Sequence, residues 1–226
     1  SNEPFFIYVA PKAPHAPAPP APGDEDLFSD YEYSVPSLDE KDGSDKPQYV
    51  QDKIEDLDDE GENGKRVQTK EFQLSQLRSL QAVDRMTKEI IDKLAEKDIL
   101  DRTVIIFASD NGFMWGEHGL YTKGKPYEES IKVPLVVRMP GVKKSITDEL
   151  VAVNLDVPTT ILALAGSKKE TSGLDLQPLL KGDNIEWRGG LALQGWSNSP
   201  EKSYKGTPDW VAWRTKEYKY VKYIYG

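Results

Sequence analysis

The order of elements predicts an α/β fold that ends in a small all-β portion. Three observations carry that prediction. Apolar, strand-like runs stand at Pro4 to Ala10, Val104 to Ala108 and Pro134 to Met139. One long stretch, Thr69 to Lys97, carries apolar residues at helical spacing. From Gly190 onward, LALQGW, WVAWRT and YKYVKYIY alternate like strands of an antiparallel sheet.

Taken in order, Pro4 to Ala10 (PFFIYVA) is expected to be a short buried strand ended by proline. Pro11 to Pro22 holds six prolines and is expected to be an extended loop. Gly23 to Gln68 is polar and acidic with little periodicity, and residues 39–68 form an acidic insert. In the helix over Thr69 to Lys97, Leu74, Leu77, Leu80, Val83, Ile90, Ile91 and Leu94 give one apolar stripe. The strand–loop–strand over Thr103 to Gly141 follows. Asp156 to Ala165 is then expected to be a helix, with Asp156 as N-cap, Pro158 in the first turn and Gly166 as the stop. Domain boundaries are placed at residues 1–188 and 189–226, the second being the small antiparallel subdomain. There is no internal repeat.

The totals narrow the function. A chain of 226 residues is ample for a core. A formal charge of −9 disfavours broad nucleic-acid binding, which needs a basic footprint. No apolar run approaches the length of a membrane span. Cysteine is absent, which removes disulfides, thiolate metal sites and a cysteine nucleophile from this chain. Ser1-Asn2 reads as a cloning remnant, so the native N-terminus is expected to lie further upstream.

The loop between the two central strands holds an acid, an amide, an imidazole and an ammonium: Asp110, Asn111, His118 and Lys123. That set can grip a metal and an oxyanion together. Asp110 and Asn111 offer hard oxygens at a strand's C-terminal end, which suits calcium or another divalent cation. An Asn-Gly turn with a capping aspartate is the plain alternative. His118 sits between Gly116-Glu117 and Gly119, where glycine permits close approach to a ligand, and a structural hydrogen bond is its rival role. His15 lies between two prolines that stiffen its loop. Lys125 is the near alternative to Lys123, and Glu128 and Glu129 either orient the lysine or cap the next segment. Asp56 to Gly61 resembles the start of an EF-hand loop, but Val67 stands where the closing glutamate belongs, so a solvated acidic loop is expected. The aromatics Trp210, Trp213, Tyr218, Tyr220 and Tyr223 are expected to be core, with a sugar-stacking wall as the lesser reading.

Several motifs occur together in one order: SDNG, GEHGL, KGKPYEE and VPLVVRMPG. They resemble the second conserved block of the sulfatases, in the alkaline-phosphatase-like superfamily. FFIYVAPKAPHAPAPPAP resembles the segment that brings a histidine to the same site, and SDKPQYV and the helix ending in AVDRM resemble the glucosamine-6-sulfatase-like branch. The resemblance implies a large mixed sheet flanked by helices and a small C-terminal antiparallel subdomain. It implies hydrolysis of sulfate esters by a formylglycine nucleophile beside a divalent metal, usually calcium. It makes Asp110 and Asn111 metal ligands, Lys123 a sulfate-binding lysine and His15 a donor to the leaving group or sulfate. His118 is given a less uniform role beside the substrate. All five are expected to converge on one cleft.

The chain departs from the family at the nucleophile. Formylglycine derives from Cys or Ser in C/S-x-P-x-R. The nearest match is Ser34-Val35-Pro36-Ser37, with Leu38 in place of the arginine. The chain is therefore expected to be the C-terminal part of a sulfatase, inactive alone. Its incomplete sheet would lead it to self-associate or to sit against a complementary N-terminal fragment. The implied partner is a sulfated small molecule or glycan, and the implied location is secreted or in the cell envelope. Two other functions are held beside this one: a phosphoester or phosphonate hydrolase of the same superfamily, and a non-catalytic ligand-binding module.

Overall fold

Strand alternation at the C-terminal end resolves into a three-stranded antiparallel sheet, the most extensive ladder among the described residues. A computed structural model describes residues 3–38, 40–55, 65–196 and 206–224. Its elements are α1 (Gln48–Glu55), α2 (Lys65–Glu96), β1 (Ile105–Ala108), β2 (Met114–Trp115), β3 (Tyr121–Thr122), α3 (Glu128–Ile131), β4 (Leu135–Arg138), α4 (Val153–Leu164), α5 (Gln177–Lys181), β5 (Leu191–Gly195), β6 (Asp209–Arg214) and β7 (Lys219–Ile224). The sheets are β1–β4, β2–β3 and β5–β6–β7. β1 and β4 run antiparallel with Phe107 opposite Val136. In the last sheet Trp213 stands opposite both Ala192 and Tyr220. Among the described residues, no helix is long and apolar enough to cross a membrane.

The chain forms two compact units, each assembled from separated stretches. One comprises Ser1–Asp45, Asp52–Asp101 and Trp115–Leu120; the other comprises Lys46–Gln51, Arg102–Met114 and Tyr121–Gly226.

The first unit is organised by α2. The expected apolar stripe is not its deepest face. Its most buried positions are Thr69, Gln76, Ser79 and Val83, whereas Ile90 is exposed. Polar residues can occupy that face because they are hydrogen-bonded there. The Gln76 side-chain amide both donates and accepts, and the Ser79 hydroxyl donates to the Gln76 carbonyl at 3.0 Å. Loop segments fasten to the same helix. Arg78 Nε donates to the Leu27 carbonyl at 2.8 Å. Arg85 forms a bidentate pair with Asp24 at 2.9 and 2.6 Å, and that hydrogen bond holds the Asp24 carboxyl below its ordinary range.

The second unit holds β1–β4, α4, α5 and the C-terminal sheet. α4 begins three residues earlier than its sequence indicates, at Val153. Asp156 therefore lies inside the first turn, not at the N-cap. Its carboxylate reaches back to accept the Ala152 N–H at 2.7 Å, which satisfies a donor that the helix start would leave open. Gly166, at φ 72°, supplies the left-handed stop.

Three other expectations change. Phe5 to Val9 is not a buried strand: these residues are 47–81% exposed. Strand propensity alone does not make a strand, because the backbone groups need a neighbouring ladder, and among the described residues no strand pairs with this segment. β1 is open for a related reason. Among the described residues its ladder has only β4 beside it, and the facing pair Phe107 and Val136 is 43% and 62% exposed. The C-terminal aromatics divide by the pleat. Trp210 is buried, while Trp213, Tyr218 and Tyr220 are exposed. Within the acidic region, α1 buries Tyr49, Val50 and Ile54. The Tyr49 ring meets Tyr223 edge-on at 5.3 Å between centroids. The EF-hand-like run Asp56 to Gly61 lies outside the described residues.

Candidate active site

The strand β1 ends at Ala108 and delivers Ser109-Asp110-Asn111-Gly112 into a loop with little freedom. The Ser109 hydroxyl donates to the Asn111 carbonyl at 2.8 Å, and the Gly112 N–H donates to the Ser130 carbonyl at 3.1 Å. A Cβ at Gly112 would come within 2.1 Å of the Glu129 carbonyl oxygen, so only glycine permits this approach. The Asn111 amide is oriented by both its ends. Its Nδ2 donates to the Gly112 carbonyl at 2.8 Å, and its Oδ1 accepts from Lys123 Nζ at 2.9 Å. Asp110 beside it is exposed.

Lys123 is delivered by a second constrained turn. Thr122 and Gly124 take φ 70° and 87° on either side. The Ser130 hydroxyl accepts both the Gly124 N–H at 3.0 Å and the Lys125 N–H at 3.2 Å. From β6, the buried Trp210 donates its indole N–H to the Gly124 carbonyl at 3.0 Å. Lys125 is buried and its Nζ lies 3.4 Å from the Lys123 carbonyl, which makes it a support for the turn. Lys123 is thus the lysine that presents its ammonium to the Asn111 oxygen.

Glu128 resolves the alternatives left for that position. It neither orients Lys123 nor serves as a cap: it accepts from Lys219 Nζ at 2.9 Å and lies 3.4 Å from Arg214 Nε. Burial pushes its carboxyl up, but the Lys219 hydrogen bond and the charges of Lys219, Arg214 and Lys132 outweigh that and leave it below the ordinary value. A depressed carboxyl adds stability above its unfolded-state range and loses it as pH falls through the folded value. Glu128→Gln is therefore expected to lower the urea midpoint at neutral pH. The gap from wild type should close on acidification below the usual carboxylate range. A gap independent of pH would contradict this.

In the other unit, the His15 loop is held by its backbone. Gln76 of α2, buried, donates its Nε2 to the Pro14 carbonyl at 3.1 Å and accepts the Trp115 indole N–H at 2.7 Å. One amide thus braces the residue before His15 and the entry to the GEHG loop. His15 itself is exposed, and its Nδ1–H donates to the Ala16 carbonyl at 3.0 Å. The GEHG loop also takes left-handed backbone, with His118 as its non-glycine member. Gly116, His118 and Gly119 take φ 120°, 54° and 69°. The buried Glu117 carboxylate accepts the Trp115 N–H at 2.7 Å. His118 donates its N–H to the Ser37 carbonyl at 3.2 Å and its Nδ1–H to Glu40 at 2.5 Å.

Of the five residues singled out from the sequence, Asn111 and Lys123 touch, with Asp110 adjacent. His15 and His118 belong to the other unit. The supporting residues Gln76, Trp115, Ser130, Trp210 and Glu40 carry no motif of their own. A glutamine within an apolar helical pattern was the one available signal. As to a metal, Asp110 and Asn111 are oxygen donors of the kind calcium takes, and the Asn111 amide oxygen here accepts from the Lys123 ammonium. Two such oxygen donors would be only part of a coordination sphere. Among the described residues, no group of three or more His, Asp or Glu could hold a metal ion.

The sulfatase family profile matches residues 1–167. The chain belongs to the sulfatase family. A second profile, the C-terminal region of N-sulphoglucosamine sulphohydrolase, matches residues 116–226. Among curated relatives, the chain is 31% identical over 205 residues to N-acetylglucosamine-6-sulfatase of Homo sapiens, covering 85% of this chain and 35% of that protein. It is 33% identical over 209 residues to an arylsulfatase of Chlamydomonas reinhardtii, covering 79% and 31%. The chain thus spans about a third of the length of these relatives. A solved structure of a protein in complex with its substrate D-glucosamine-2-N,6-O-disulfate shares the fold at a TM-score of 0.73 and 22% identity, covering 94% of this chain and 55% of that one. The phosphonate monoester hydrolase of Silicibacter pomeroyi shares it at 0.61 and 21% identity, covering 69% and 33%. These two likenesses support the alkaline-phosphatase-like α/β architecture.

Proposed function

We propose that this sulfatase chain is the C-terminal portion of an enzyme that hydrolyses sulfate esters of amino sugars, with 6-sulfated glucosamine as the substrate class. The observation that carries the reading is the Lys123 ammonium held 2.9 Å from Asn111 Oδ1 at the end of β1, within the family's SDNG and KGKPYEE motifs. The named relatives, N-acetylglucosamine-6-sulfatases among them, support the sugar. Lys123 would bind a sulfuryl oxygen and stabilise the charge that grows there in the transition state. His15, its Nδ1–H committed to a carbonyl, would assist departure of the sugar hydroxyl through its other nitrogen. His118 would contact the substrate beside them. Asp110 and Asn111 would hold a divalent cation such as Ca2+, which supplies charge neutralisation when bound. The nucleophile, formylglycine, would come from residues outside this chain. A secreted or cell-envelope location fits the reading, since relatives include an extracellular sulfatase of Drosophila melanogaster.

The test is sulfate release by the full-length enzyme from N-acetylglucosamine 6-sulfate, beside a phosphonate monoester and beside the 226-residue chain alone. The full-length enzyme is expected to release sulfate and to prefer it over the phosphonate. The chain alone is expected to be inert. Preference for the phosphonate, or turnover by the chain alone, would overturn the proposal.

A further inference from the structure

The sequence places Glu40 in an acidic insert with no task, yet the structure joins it to one of the chain's two histidines. Ser37 and Glu40 each make a tie to His118. The Ser37 carbonyl accepts the His118 N–H at 3.2 Å, and the Glu40 carboxylate meets His118 Nδ1 at 2.5 Å. Both side chains are largely enclosed, at 19% and 22% exposure. The backbone is unusual at both ends of the clamp: Ser37 takes φ 55° and His118 takes φ 54°. A non-glycine residue in the left-handed region costs free energy and persists where its surroundings over-determine it. The flanking glycines could carry that conformation without strain, but the sequence puts a histidine at this position.

We infer that Glu40 is a positioning residue for His118: it fixes the ring's tautomer and its rotation within the GEHG loop. A carboxylate can only accept, so the proton of the neutral ring sits on Nδ1. Nε2 is then the acceptor of the neutral ring and the atom through which it exchanges a proton. An unconstrained neutral imidazole favours the opposite form, with the proton on Nε2, so the assignment has a distinct signature. The orienting partner decides which nitrogen of a histidine does chemistry. Glu40 would thereby prepare His118 for the substrate contact proposed above. Only that last step rests on the sulfatase reading; the tautomer does not.

The experiment is 15N NMR of the ring nitrogens in this chain, with both imidazoles in the neutral form. With His15 and His118 as the only two histidines, assignment needs one His15→Gln variant. His118 is expected to show the Nδ1–H pattern in wild type and in Glu40→Gln, whose amide oxygen can still accept. In Glu40→Ala it should revert to the ordinary Nε2–H-dominated pattern, with His15 unchanged as the internal control for folding. An Nε2–H pattern for His118 in wild type overturns the inference. So does a Glu40→Ala spectrum that keeps Nδ1–H. If Glu40→Ala disturbs His15 too, the wild-type and Glu40→Gln spectra decide, since both must show Nδ1–H. Failure of sulfate-ester turnover would leave these spectra untouched, so the two readings fail separately.

Discussion

Lys123→Ala in the full-length enzyme should lower kcat/KM on a sulfate ester by about 10²-fold or more, the usual loss when one donor to a developing oxyanion is removed. The reasoning starts from what holds the lysine. The turn around it is set by backbone conformation at Thr122 and Gly124, by the Ser130 hydroxyl and by the Trp210 indole. None of these involves the Lys123 side chain. Its ammonium contributes one hydrogen bond, to Asn111 Oδ1. Truncation therefore removes a charge from a loop that keeps its shape, and stability should change by no more than about 0.5 kcal/mol. Lys125→Ala should behave in the opposite sense, because Lys125 is buried in the turn. It should lower stability, and lower the rate only by loosening the loop. Steady-state kinetics and urea unfolding of both variants separate the two lysines. Unchanged turnover in Lys123→Ala would refute its role.

Local signals in the sequence were dependable where one segment settles its own structure. The alternation of LALQGW, WVAWRT and YKYVKYIY gives β5, β6 and β7, and the long periodic stretch gives α2. Prediction failed where a partner distant in sequence decides. Phe5 to Val9 has every local mark of a strand, and no ladder within the described residues completes it. The leucine stripe on α2 is a true periodicity, yet the deepest face contains Gln76 and Ser79, because loops at residues 14 and 115 bring hydrogen-bond partners there. The site divides the same way. Asp110, Asn111 and Lys123 sit in motifs and could be named from them. Trp210 and Ser130 support the lysine turn, and Glu40 the GEHG loop, from positions 5 to 86 residues away, and no spacing rule links them.

Asp156→Ala is expected to destabilise the second unit by about 3–5 kcal/mol, the cost of leaving one member of a buried ion pair unpaired. Asp156 is fully buried, and the Arg188 side chain facing it is 13% exposed. The carboxylate accepts from both terminal nitrogens of Arg188, from the Ala152 N–H and from the Leu174 N–H. One side chain therefore fastens the start of α4, the loop before α5 and the segment at residue 188. Neighbouring contacts leave no slack. A Cβ at Gly173 would meet the Leu155 carbonyl oxygen at 2.1 Å. The Thr160 hydroxyl donates to the Asp156 carbonyl and accepts the Leu176 N–H. Removing the carboxylate strands the Arg188 charge in a region it cannot leave without unpacking Trp187, whose ring lies 5.3 Å from the guanidinium. Asp156→Asn should cost less than alanine, since it keeps the shape and one acceptor. Asp156→Leu with Arg188→Met should recover much of the loss, because a buried pair replaced by apolar groups no longer leaves a lone charge. Urea midpoints of Asp156→Ala, Asp156→Asn, and the double variant with its own singles, Asp156→Leu and Arg188→Met, test this. If Asp156→Ala costs under about 1 kcal/mol, or the double variant costs the sum of the singles, the pair is not the fastening point described here.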